Sequence, residues 1–128
     1  MKEPVWVTGE VVLATQEELV SRFGGLPGVR DEGLLDSALH RPQQSFHYGK
    51  PTIFDLAADY AEGIIRNHPF CDGNKRVGFI AAYIFLGANG WEVVASEEEV
   101  ALQTLALAAG AIQAKNYARW LKRVAVRV

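Results

Sequence analysis

A single cysteine, Cys71, among 128 residues excludes an internal disulfide framework and fits a reducing compartment. Neither sign of charge dominates. Thirteen Lys and Arg against fifteen Asp and Glu leave a net charge of −2, with a calculated pI near 5.9. A broad nucleic-acid footprint wants a basic face, so direct nucleic-acid binding is not expected, although a small cationic pocket is compatible with this balance. The longest uncharged apolar run, Val77 to Ala88, falls short of the roughly 20 residues that span a bilayer. Met1-Lys2-Glu3-Pro4 leads into a short mixed segment, unlike a signal peptide. Repeats, low-complexity tracts and linker-like stretches are missing too. The expectation is a cytoplasmic protein with no membrane role, folded as one domain over residues 1–128. An apolar share of 49% supplies an adequate core at this length.

What is present is mostly helical periodicity. Val5-Trp6-Val7 allows one short strand or extended edge. Thr8 or Gly9 then opens a helix with Val12, Leu13, Leu19, Val20 and Phe23 on its inner side. Gly24-Gly25 ends it, and Pro27-Gly28 marks a turn. Asp31 is a good N-cap for a short helix burying Leu34, Leu35, Ala38 and Leu39, which Pro42 is expected to close. The stretch from Arg41 to Pro51 has no clear period and reads as a long loop, of the kind that often carries function. Thr52 caps a helix with an apolar stripe of Ile53, Leu56, Ala57, Tyr60, Ala61, Ile64 and Ile65, leaving Asp55, Asp59, Glu62 and Arg66 outside. Pro69 biases His68 away from helix, so the stop falls near Asn67. Trp91 to Val94 suggests a brief strand. Ser96 with Glu99 forms a capping box for a Leu- and Ala-rich helix, and Tyr117, Trp120, Leu121 and Val124 define a last helix. The fold class is all-α, with a buried central helix pair and at most short N-terminal or flap strands.

The chain is organised around His68-Pro69-Phe70-Cys71-Asp72-Gly73-Asn74-Lys75-Arg76 and the helix that follows it, which is apolar nearly all round and therefore buried at its centre. A helix start points unpaired N–H groups and the positive end of the dipole outward. Small residues there let an anion reach the backbone. Lys75 and Arg76 sit where that dipole disfavours cations, and a bound anion explains their placement. His68 is a candidate general base, Asp72 a hard oxygen ligand for Mg²⁺ shared with phosphates, and Gly73, Asn74, Lys75 and Arg76 a phosphate cradle. Taken singly, each residue has a bland reading: a surface His, an Asp-Gly-Asn turn, a solvated Lys-Arg pair. Nine consecutive residues holding all of them at one helix start favour the site.

These residues resemble the H-x-F-x-D-G-N-K-R motif of the death-on-curing branch of the Fic/Doc (Fido) superfamily. The likeness extends over Phe23-Gly24-Gly25-Leu26-Pro27-Gly28-Val29-Arg30-Asp31, over Gly33 to Leu39 with Arg41-Pro42-Gln43, and over Phe85-Leu86 and Asn89-Gly90. It covers most of the chain, from about Val5 to Leu121. The resemblance implies a compact Fido-type domain, bacterial origin, and the toxin of a type II toxin–antitoxin system. It implies passage of the γ-phosphoryl group of ATP, with Mg²⁺, to a Ser or Thr hydroxyl of a target protein, by resemblance elongation factor Tu. Adenylyl-transferring members carry H-x-F-x-[DE]-G-N-G-R-x-x-R. Here Lys75 replaces the second Gly and Phe79 stands at the second Arg, which argues against nucleotidyl transfer. A protein adenylyltransferase and a catalytically silent anion-binding or interaction module are the alternatives.

By the same resemblance, Gln43, Gln44, Ser45, Phe46, His47, Tyr48, Gly49 and Lys50 are expected to act as a flap that orients the target segment. Arg66 is a further candidate by proximity in sequence alone. The inhibitory [ST]-x-x-x-E-[GN] helix of many Fic enzymes has no counterpart in this sequence. Restraint is therefore expected from a separate, Phd-like antitoxin polypeptide.

Overall fold

The computed structural model describes residues 1–128. Its elements run α1 (Gly9–Phe23), α2 (Glu32–Tyr48), α3 (Ile53–Asn67), α4 (Asn74–Ala88), β1 (Trp91–Val93), α5 (Glu97–Ala109), α6 (Ala114–Val124) and β2 (Ala125–Arg127). Four helix starts are fixed by side chains the sequence makes obvious. Thr8 accepts from Val11 N–H and Asp31 from Leu34 N–H. Thr52 and Asp55 cap reciprocally, and Ser96 accepts from Glu99 N–H. Each such cap is worth about 1 kcal/mol. The Glu99 carboxylate does not complete the expected box; it accepts from Trp120 Nε1 at 2.9 Å and ties α5 to α6.

The α3–α4 pair forms the centre. Ten of the fifteen α3 residues are buried, and α4 contributes Val77, Ala81, Ala82, Phe85 and Leu86 to the same core. Close approach depends on small residues: a Cβ at Gly78 would lie 2.8 Å from Ile65 Cγ1 and 3.1 Å from the Ala61 carbonyl oxygen. Helices α1, α2, α5 and α6 surround this pair, as expected for an all-α chain.

Three local expectations are corrected. Pro42 does not close α2, which continues to Tyr48. A proline inside a helix removes one backbone bond and crowds the preceding turn, but contacts on both sides of Pro42 outweigh that cost. Arg41 pairs with Glu62, and Phe46 packs edge-on to Trp6 with ring centroids 5.7 Å apart. The stretch from Gln43 to Tyr48 is therefore helix, and only Gly49 to Thr52 links α2 to α3.

Glu62 does not lie outside the core stripe; it is 6% exposed. Because α2 and α6 both pack on α3, this carboxylate ends between them. It is satisfied there by Arg41 and by Ala114 N–H at 3.2 Å. Val5–Val7 forms no strand. The Asn89 side chain mimics one, accepting from Val5 N–H at 2.8 Å and donating to Val5 O at 2.9 Å. The expected strand at Trp91 does form, antiparallel to β2 in the register Trp91–Arg127, Glu92–Val126 and Val93–Ala125.

Candidate active site at the start of α4

The motif loop is built by its own residues. At the end of α3, His68 takes a left-handed backbone (φ 54°, ψ 52°) and its N–H returns to Ile64 O. Pro69 cannot extend the helix. The carbonyls of Asn67 and His68 accept from the Arg30 guanidinium at 3.2 and 2.8 Å. Phe70 is fully buried and anchors the loop. The Asn74 side chain then closes it, accepting from Phe70 N–H and donating to Phe70 O, both at 3.0 Å. That side chain is thus committed to the loop, and only the Asn74 backbone is left for a ligand. Gly73, with φ 81°, provides the N-cap with no side-chain cap, so the first-turn N–H groups of α4 face outward.

His68, Asp72, Gly73, Asn74, Lys75 and Arg76 all line one open cleft of about 620 Å³. Its opposite wall is the end of α1 and the loop after it: Phe23, Gly24 and Gly25. This loop lies against the motif. Gly28 O accepts from Cys71 N–H, and Pro69 O accepts from both Arg30 and Asp31 N–H. Asp72 Oδ2 accepts from Leu26 N–H at 2.7 Å. A Cβ at Gly25, where φ is 110°, would lie 3.0 Å from Asp72 Cβ, so only glycine permits this approach.

A single cleft thus collects an exposed imidazole, one carboxylate, two cations and a free helix N-terminus. The model of the Fic/DOC family matches residues 6–86, which contain all of these groups. The chain belongs to the Fic/DOC family. Among relatives of this Fic/DOC protein, the protein kinase Doc of Escherichia phage P1 is 34% identical over 119 residues, covering 92% of this chain and 94% of that one. The toxin Doc of Mycolicibacterium smegmatis is 46% identical over 76 residues, covering 57% of this chain and 58% of its own.

Other expected site residues of this Fic/DOC domain stand apart. None of Gln43, Gln44, Ser45, Phe46, His47, Tyr48, Gly49 or Lys50 lines the His68 cleft. Ser45 and Tyr48 to Lys50 border a second, smaller cleft with Asp55, Asp59 and Lys115. Burial pushes the Asp59 carboxyl up, against the opposing pull of its Ser45 hydrogen bond and of Arg41. Arg66 is also outside the His68 cleft; its Nε lies 3.7 Å from Glu62 Oε2. The segment that does face the motif, Phe23 to Asp31, reads in the sequence as a helix stop and a turn. The signal available was its glycine spacing, together with the family likeness that runs over the same residues.

The donor set suits a nucleotide phosphate with a divalent cation. Mg²⁺ in phosphate-transfer sites is held by one or two carboxylates plus phosphate and water. Asp72 is exposed and has one oxygen engaged by Leu26 N–H, leaving Oδ1 for such a role.

Proposed function

We propose that this chain is a Doc-like toxin, one Fido domain over residues 1–128, that transfers the γ-phosphoryl group of ATP to a Ser or Thr hydroxyl of a target protein. The observation that carries this reading is the sharing of one cleft by His68, Asp72 and the cationic start of α4. In the proposed reaction His68 accepts the proton of the target hydroxyl as its oxygen forms a bond to the γ-phosphorus. The bond from that phosphorus to the bridging oxygen breaks and ADP departs. The backbone N–H groups of Gly73 and Asn74, with Lys75 and Arg76, hold phosphate oxygens in line and neutralise developing charge. Asp72 would hold Mg²⁺, which when bound neutralises charge across neighbouring phosphates.

Names of relatives support the same reading: one is a protein kinase and another a toxin. The target is taken to be elongation factor Tu, and restraint to come from a Phd-like antitoxin in the bacterial cytoplasm. No helix is long and apolar enough to cross a membrane.

The test uses lysate incubated with ATP labelled at the γ- or the α-phosphate, beside a His68→Ala control. Transfer of γ-label alone, lost in the variant, is expected. Transfer of α-label would instead assign a nucleotidyltransferase, and nucleotide binding without either label reaching protein would assign a silent module. Expression of the chain alone should arrest growth, and co-expression of a neighbouring antitoxin should relieve it.

A further inference from the structure

Gln16, in the middle of α1, is 1% exposed, yet nothing in the proposed chemistry uses it. Its side-chain amide is fully committed. Nε2 donates to Leu26 O at 3.0 Å and to Asp72 O at 3.2 Å, and Oε1 accepts from Gly28 N–H at 3.1 Å. One buried amide therefore joins three segments: α1, the glycine-rich loop after it and the motif loop. A polar side chain in an apolar interior is costly unless every donor and acceptor is met, and a Leu or Met would fill the same space without that requirement.

We propose that Gln16 is a positioning residue that holds the Asp72 carboxylate in place by locking the Leu26–Gly28 backbone onto the motif loop. The proposal rests on the reading of Asp72 as the carboxylate that takes a divalent cation. The geometry runs in two steps. Gln16 fixes Leu26 and Gly28 relative to the Asp72 carbonyl; Leu26 N–H, so placed, fixes Asp72 Oδ2 at 2.7 Å. The second oxygen is then presented in a constant direction. Without the amide, no other α1 side chain hydrogen-bonds both the loop and Asp72; the Gly28–Asp31 end of the loop stays held by Cys71 N–H and Pro69 O, while the Leu26 end keeps only its bond to Asp72 Oδ2.

The test compares the wild type with Gln16→Met, which keeps length and shape but removes the donor pair and the amide oxygen. The first readout needs no ligand: hydrogen exchange at the Leu26 amide, whose acceptor is Asp72 and not Gln16. Positioning through the loop predicts an acceleration of about tenfold, the scale expected when a hydrogen bond worth about 1–1.5 kcal/mol is lost, while core amides such as Ile64 keep their protection. The second readout is ATP binding with and without Mg²⁺. The Mg²⁺-dependent gain in affinity should shrink several-fold in Gln16→Met, with metal-free ATP binding unchanged. It should not shrink further when Gln16→Met is added to Asp72→Asn.

Should Gln16→Met fail to fold by circular dichroism, Gln16→Asn, an amide one methylene too short to reach both carbonyls, takes its place. Unchanged Leu26 exchange and an undiminished Mg²⁺ gain in the folded variant overturn the role of Gln16 alone. A wild type that shows no Mg²⁺ gain overturns the reading of Asp72 beneath it, and the proposal with it.

Discussion

The guanidinium carbon of Arg76 lies 4.1 Å from the centroid of the Phe23 ring, linking the start of α4 to the end of α1 across the mouth of the cleft. Phe23 is 60% exposed, so burial is not what it gains there. The ring instead restrains a long cationic side chain whose unrestrained rotamers would cost entropy on binding a phosphate. A cation–π contact at an exposed site is worth about 0.5–1 kcal/mol. Phe23→Leu should therefore weaken ATP binding about two- to fivefold, and Phe23→Trp should restore it. Calorimetric titration with ATP checks this. Equal affinity in Phe23→Leu and wild type would show that Arg76 needs no such support.

The position of His68 makes a clean test of the base possible. The residue is exposed and its backbone is left-handed, a conformation asparagine tolerates better than alanine. His68→Asn should therefore keep the fold and the cap on α3 while removing the proton acceptor. Loss of a general base typically costs 10²- to 10⁴-fold. The expected result is a fall of that order in γ-phosphoryl transfer with ATP affinity held within about twofold. Retention of most of the transfer rate would remove His68 from the mechanism.

Much of this arrangement is legible in the amino-acid sequence. The helix starts at Thr8, Asp31, Thr52 and Ser96 follow from local capping chemistry, and the motif residues from Asp72 to Arg76 occupy consecutive positions, so one helix start necessarily gathers them. The opposite wall of the cleft was a different matter. Gly24, Gly25 and Gly28 look like ordinary punctuation, and the reason Gly25 faces Asp72 is a pairing between segments more than forty residues apart, as in Leu26 with Asp72. Gln16 gives no local sign at all. The Pro42 rule failed for the opposite reason: a sound local preference lost to the tertiary contacts made by Arg41 and Phe46. Glu62 likewise looked like a surface charge until two neighbouring helices enclosed it.

Gly78 sets the distance between the central helices, and Gly78→Ala should expose that role. The added methyl would meet Ile65 Cγ1 at 2.8 Å and the Ala61 backbone oxygen at 3.1 Å. A flexible side-chain tip can turn aside, but a helix carbonyl cannot, so α3 and α4 must separate slightly. Overpacking of this kind costs about 1–3 kcal/mol, outweighing the gain of up to about 1 kcal/mol in helix propensity over glycine. Urea unfolding should show a lower midpoint for Gly78→Ala with an unchanged slope. A raised midpoint would mean that the helices have slack at this crossing.

Alkaline pH should loosen the fold through two buried tyrosines. The Tyr60 hydroxyl accepts from Val7 N–H at 3.0 Å, and the Tyr117 hydroxyl pairs with Thr104 Oγ1 at 2.9 Å. Burial pushes both phenols up from 10 to about 12. Between those values the unfolded chain releases protons that the folded one keeps, so the unfolded state binds fewer protons and stability falls as pH rises. Below pH 10 the contribution is intact; by pH 12 each tyrosine has cost about 2–3 kcal/mol. Tyr117→Phe leaves Thr104 without its partner, costing about 1 kcal/mol at pH 8, but it removes one of the two titrations. Unfolding in urea at pH 8 and pH 11 should therefore find the variant less stable than wild type at the lower pH and losing less between the two. Parallel losses in both proteins would mean that Tyr117 ionises as readily in the fold as out of it.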